Sequence, residues 1–291
     1  MNIMRFRTVY FAISLLVLIP CIFSLLFFGF KPSIDFVGGS LLEITAKQDV
    51  SKEKIQEIIS GVYQVQQVQE TEENRFVVEG VDIANETKVI ALGKLTENIG
   101  EVQELRFESV GPTLSKELLL KTLTALLLVA SIITMYVWRQ FSELKYGVSA
   151  ILAMFHDSLV LLGSFSLLGH FFGVQVDVLF VTALLTTLSF SVHDTIVVYD
   201  RIRELKRKHG GTDFKMVVNM AVVETLSRSI NNSVTIIVML AALSLLGGTT
   251  IRWFAVALLI GAITGTYSST FTAAPLLLLW DDIVAKKKSK K

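Results

Sequence analysis

Apolar residues in this chain collect into long blocks, and polar residues collect between them. Six blocks reach the roughly 20 residues that a helix needs to cross a bilayer: 8–30, 118–138, 146–172, 178–199, 226–246 and 253–280. The first follows Arg5 and Arg7, as a signal peptide would. Its apolar core is too long for that, and Gly29-Phe30-Lys31-Pro32 is a poor cleavage site, so a retained helix is expected. The last is bracketed by Trp253 and Trp280, which suit the interface.

Between the first and second blocks, residues 31–115 contain no spanning segment and hold most of the Glu and Gln. Alternation predicts strands at 41–45, 66–70, 76–79 and 102–110, with a turn at 72–74 joining the middle pair. Helical periodicity predicts helices at 51–59 and 85–98, the first opened by a Ser51 N-cap with Lys54 as its third residue. The order βαββαβ is that of a ferredoxin-like unit. No catalytic cluster stands out in it. The polar stretch 202–223, broken at Gly210-Gly211, reads as a pair of surface helices.

Composition agrees with this picture. Of 291 residues, 52% are hydrophobic and 18% charged, with mean hydropathy +0.59, which excludes an ordinary soluble domain. Net charge is +1 and says nothing about partners, but its distribution is informative. Arg5, Arg7, Arg139, Lys145, the basic run 201–208, Lys215 and the tail 286–291 fall on one side of a six-span layout. The short loops opposite contribute only Arg252. The positive-inside rule therefore predicts cytoplasmic termini and a cytoplasmic 201–225 loop. The expected fold is a membrane α-helical bundle of six transmembrane helices, with a small α+β ferredoxin-like extracytoplasmic domain between helices 1 and 2. Its parts are residues 1–30, the domain 31–115, the remaining spans 116–284 and a basic tail 285–291. The one cysteine, Cys21, excludes a disulfide framework and a thiolate metal site.

Candidate chemistry lies inside the spans. Asp194 interrupts the fourth block, and an ionised Asp at mid-bilayer costs roughly 2.5–3.5 kcal/mol on insertion scales. Thr187, Ser191 and Asp194 share a helix face at i, i+4 and i+7. Such a carboxylate is either a functional group with a partner or a structural one bonded to neighbouring helices. It lies about 10 Å from the inner charge block at 1.5 Å per residue. Arg228, near the start of the fifth span, reaches similar depth and either pairs with Asp194 or snorkels to the headgroups. It heads a polar stripe with Asn231, Asn232 and Thr235. Asp157 lies nearer the midplane of the third span. His156-Asp157 and His193-Asp194 repeat a His-Asp dyad. Zinc is a minor alternative, because adjacent helical residues project about 100° apart. No Ser-His-Asp constellation or phosphate loop is present, so neither an enzyme nor a cofactor is expected. Ala257, Gly261, Gly265 and Ser269 form a small-residue stripe that admits close helix packing.

Five segments carry a family resemblance: SIDFVGGS at 33–40, Val110-Gly111-Pro112 with Leu118, AMFHDSLVLL at 153–162, HDTIVVYDRIRE at 193–204 and Leu226-Ser227-Arg228. In order and spacing they resemble the SecF family of protein-export membrane proteins, within the RND superfamily. That resemblance implies a Sec translocase accessory subunit in the bacterial cytoplasmic membrane. It implies SecD, SecYEG and YajC as partners, unfolded preprotein as substrate, contact with membrane lipid, and no nucleic acid. It implies use of the proton-motive force, with Asp194 carrying the proton and Arg228 as its charge partner. His193 stands where that family usually has Asn, and either tunes Asp194 or bonds a neighbouring helix. Two other readings remain at this stage: an RND-type transporter of small molecules or ions, and a non-energised scaffold for a translocon.

Overall fold

The computed structural model describes residues 2–72, 74–141 and 143–289. Part of the 72–74 turn, one residue of the 139–145 connection and the last two lysines of the tail lie outside that set. After a short 3-10 turn, the chain forms α1 (Arg7–Phe27), α2 (Ile34–Val37), β1 (Gly39–Ala46), α3 (Lys52–Ser60), β2 (Val65–Glu72) and β3 (Arg75–Gly80). There follow α4 (Asn85–Ile99), β4 (Val102–Val110), α5 (Pro112–Gln140), α6 (Leu144–Phe172), α7 (Val178–Lys208), α8 (Phe214–Leu246) and α9 (Thr249–Ser268). A π-turn (Ser269–Ala273) then leads into α10 (Ala274–Ser289). Two compact units result: Pro32–Thr124, and Met1–Lys31 with Ala125–Lys291.

The smaller unit is an antiparallel sheet of order β2-β3-β1-β4. With α3 and α4 as its crossings, that is the ferredoxin-like arrangement. The alternation read from the sequence selects the buried face: Leu42, Ile44, Phe76 and Val78 meet Ile55 and Ile59 of α3 and Ala91 and Leu95 of α4. Ser51 caps α3 through its hydroxyl, which accepts the Lys54 amide at 3.4 Å. Gly38 and Gly39 open β1 with φ of +78° and +129°, a region that L side chains rarely enter. A Cβ on Gly39 would also lie 2.5 Å from the Gly80 carbonyl oxygen. Gly39 thus lets the start of β1 lie against the end of β3, while Gly38 packs against the end of β4.

The larger unit holds the bundle. The chain carries six helices long and apolar enough to cross a membrane, the last made of α9, the π-turn and α10. It is a multi-pass membrane protein. Charges tie four chain segments together at one end of the bundle: Arg7 pairs with Asp282 at 2.7 Å, Lys145 with Asp281 at 2.8 Å, and Lys206 with Glu143 at 3.0 Å. There too Asn219 accepts the Met4 amide at 3.1 Å. Beneath this layer Phe141, Tyr146 and Tyr199 pack ring against ring, with centroids 5.5–5.7 Å apart. Elsewhere in the bundle the Lys31 carbonyl accepts the Val176 amide at 2.8 Å, and Phe28 stacks on His170.

One expectation is corrected. Residues 202–223 do not form separate surface helices. The fourth span continues unbroken to Lys208, and the fifth begins at Phe214. The reason is burial: Ile202, Leu205, Val217, Val218, Ala221 and Val222 join the same core as the membrane-embedded residues. Only the Gly210-Gly211 turn interrupts the helices, with Gly211 at φ +104°.

Candidate functional site

Four spans bring polar groups together. Among these spans α7 and α9 pack closely, meeting through small residues. A Cβ on Gly261 would fall inside the Thr187 side chain, and one on Gly265 would lie 3.4 Å from the Ser191 Cα and 3.9 Å from an Asp157 carboxylate oxygen. The small-residue stripe therefore faces inward: Ala257, Gly261, Gly265 and Ser269 are all buried. Thr187 and Ser191, the hydroxyls on the Asp194 face, are buried as well, with 1% and 0% of their surface exposed.

Asp157 comes from α6 and is wholly buried. Its Oδ1 lies 2.9 Å from His156 Nδ1, and its Oδ2 accepts the Ser268 hydroxyl at 2.6 Å. Sequence reasoning singled out the dyad but missed Ser268 and the π-turn that follows it. Ser268 adjoins the small-residue stripe, and a run of hydroxyls at 268–272 in an apolar span was its signal.

Asp194 is half-buried, and its Oδ2 accepts a hydrogen bond from Ser229 Oγ at 3.1 Å. The ion pair with Arg228 is not formed here: Arg228 is exposed, and no ion pair among the described residues includes it. At the depth expected for Arg228, the α8 residue that meets Asp194 in this state is Ser229. Successive helical residues point about 100° apart, so only one of Arg228 and Ser229 can face α7 at a time. His193 is exposed and makes no hydrogen bond among the described residues. Asn231, Asn232 and Thr235, which continue the Arg228 stripe, are exposed too. Within a span, a polar stripe left open in the single chain needs either headgroups or a polar partner.

Comparison with known proteins decides the family. The description "Protein export membrane protein SecD/SecF, C-terminal" matches residues 91–282. The SecD/SecF GG motif matches residues 23–50, around Gly38 and Gly39. The chain belongs to the SecF family of protein-export membrane proteins.

Among its relatives is the "Protein translocase subunit SecF" of Thermobaculum terrenum, 39% identical, over 97% of this chain and 94% of that one. The subunit of the same name from Anaerolinea thermophila is 40% identical with the same coverage. Of solved structures, the crystal structure of SecDF from Thermus thermophilus, a translocon-associated membrane protein, superposes with a TM-score of 0.86 at 29% identity. It is matched by 97% of this chain, which spans only 39% of that longer one. SecDF in its super-membrane-facing form gives a TM-score of 0.73 at 30% identity. Within the segment of this chain that matches the GG motif, Gly39 allows the β1–β3 approach.

Proposed function

We propose that this chain is the SecF-like subunit of the bacterial Sec protein translocase. It acts with SecD to use the proton-motive force, promoting preprotein translocation across the cytoplasmic membrane. SecYEG and YajC are its further partners, unfolded preprotein is its cargo, and both termini lie in the cytoplasm. The observation that carries this reading is the exposed polar stripe Arg228, Asn231, Asn232 and Thr235 on α8, the helix whose Ser229 meets Asp194. A guanidinium and two amides within a span favour a partner that offers polar groups of its own. The solved relatives named SecDF support SecD as that partner, since this chain covers 39% of the length of one of them.

Asp194 is the proton-carrying group in this proposal, and Arg228 its charge partner in a second state. With Ser229 as donor, the carboxyl group sits half-buried without a cation. Were α7 or α8 to turn, Arg228 would replace Ser229 and favour the ionised form. Each elementary charge moved through the membrane potential is worth roughly 2.3 kcal/mol per 100 mV. Coupling that work to export needs a group that binds the proton in one state and releases it in the other.

The test uses vesicles holding the full chain, SecD and SecYEG, with and without an imposed proton gradient. Asp194→Asn should assemble normally and lose the gradient-dependent gain in translocation. A gain equal to wild type would move the proton to another group. No co-purification of SecD and SecYEG with the chain would remove the translocase reading altogether.

A further inference from the structure

The bundle holds a second carboxyl group with no Lys or Arg paired to it among the described residues, that of Asp157, which is 0% exposed. In its ionised form Asp157 only accepts hydrogen bonds, so Ser268 Oγ–H and His156 Nδ1–H would both donate to it. That tautomer leaves His156 Nε2 as a bare acceptor. His156 is 7% exposed, and its Nε2 is buried with no hydrogen-bond partner among the described residues. The ring thus carries one negative neighbour on one side and an unused lone pair on the other.

From α9, Ser268 bonds Asp157, and Gly265 lies beside both the Asp157 carboxyl group and the Ser191 backbone of α7. Several titratable groups on the elements packed against α6 are engaged elsewhere. The Cys21 thiol of α1 bonds the Val160 carbonyl, and Tyr267 of α9 bonds the Tyr10 carbonyl. On α7, Asp194 meets Ser229, Tyr199 bonds the Ala273 carbonyl, and His193 is exposed. Asp281 and Asp282 of α10 pair with Lys145 and Arg7, and Arg252 of α9 lies over the Trp253 ring. The hydroxyls of Thr187, Ser191 and Thr195 line the buried face of α7, each without a partner among the described residues.

We infer that His156 and Asp157 form a second proton-binding site, in which the proton is held on His156 Nε2. Binding changes the dyad from a net charge of −1 to an internal ion pair, which removes an uncompensated buried charge. The unpartnered hydroxyls of α7 supply donors and acceptors for a proton or water along that face. Ser268 then links the occupancy of the site to the π-turn that begins one residue later, a backbone irregularity common at functional positions. Tyr199 grips the other end of the same turn by donating 2.9 Å to the Ala273 carbonyl.

The site does not depend on Asp194 as the coupling group, and its test reads a different atom. The full-length chain, labelled with nitrogen-15 at its four histidines, would be reconstituted in lipid and followed by NMR as pH is lowered. His156→Gln assigns the signal. In the wild type, the His156 Nε2 resonance should change from the unprotonated to the protonated form. Asp157→Asn should abolish that change over the same range, whereas Asp194→Asn should leave it intact. A resonance that stays unprotonated while the chain remains folded overturns the proposal. So does an Asp157→Asn chain that titrates like wild type, or a signal that responds to sodium at fixed pH instead of to acid. Should Asp157→Asn not fold, infrared spectra of the wild type decide: Nε2 protonation with Asp157 still ionised supports the site, and protonation of the carboxyl alone overturns it.

Discussion

Ser229 donates its hydroxyl proton to Asp194 across 3.1 Å, while Arg228, its neighbour in the chain, lies exposed. The two side chains point about 100° apart on α8, so exchanging one for the other at Asp194 needs a helix to turn. A single serine therefore defines the state captured here, and a single arginine would define the alternative that the proposed function requires.

Ser229→Ala should destabilise this state, because it leaves a half-buried carboxylate without its donor, at a cost of about 1–3 kcal/mol. The midpoint of thermal unfolding for the purified chain should fall. Ser229→Thr, which keeps the hydroxyl, should stay near wild type. Equal midpoints for all three chains would make the contact energetically idle.

Two glycines of the same stripe should respond differently. A methyl on Gly261 meets the Thr187 side chain head-on, so Gly261→Ala should cost about 1–3 kcal/mol by overpacking. At Gly265 the nearest atoms are 3.4 Å away, an ordinary contact, and Gly265→Ala should be milder. Thr187→Ala should restore part of the stability lost in Gly261→Ala. Yields and unfolding midpoints of the four chains would check the order, and a larger loss at Gly265 would contradict the geometry.

In the smaller unit, Gly39→Ala should be among the most damaging single changes. It forces a Cβ into a backbone at φ +129° and 2.5 Å from the Gly80 carbonyl oxygen. Limited proteolysis of the intact protein should then cut within residues 32–124 under conditions where the wild type resists. Resistance equal to wild type would mean the strand start can shift at little cost.

Alkali should loosen that same unit. Burial pushes the Tyr63 phenol from 10.0 up to about 12. Folding therefore favours its protonated form: the contribution is complete below about pH 10 and is lost as pH climbs toward 12. Tyr63→Phe, having no proton to lose, should flatten the fall in stability across that window. An unchanged slope in the variant would place the alkaline sensitivity elsewhere.

Topology can be checked with two fusions. A reporter active only outside the cytoplasm should report from the β2–β3 turn and be silent at Gly210. Reversed signals would defeat the orientation argued from Lys and Arg.

Much of this protein follows from its sequence alone. Six spans are legible because lipid admits few other ways to satisfy a backbone, so each needs its own apolar run. The order of the smaller unit is legible because alternation and capping are local: β4 was placed at 102–110, and Ser51 caps α3 as expected. Asp157 and Asp194 stand out because a charge in an apolar run is expensive. What surrounds them was decided only by the tertiary structure. Which of Arg228 and Ser229 meets Asp194 depends on the rotation of α8 about its axis, and no spacing within one helix determines that angle. The contact of Ser268 with Asp157 joins residues 111 positions apart and depends on how close α9 comes. That approach is set where Gly261 meets Thr187 and Gly265 meets Ser191, a fit of surfaces that exists only once the helices have packed.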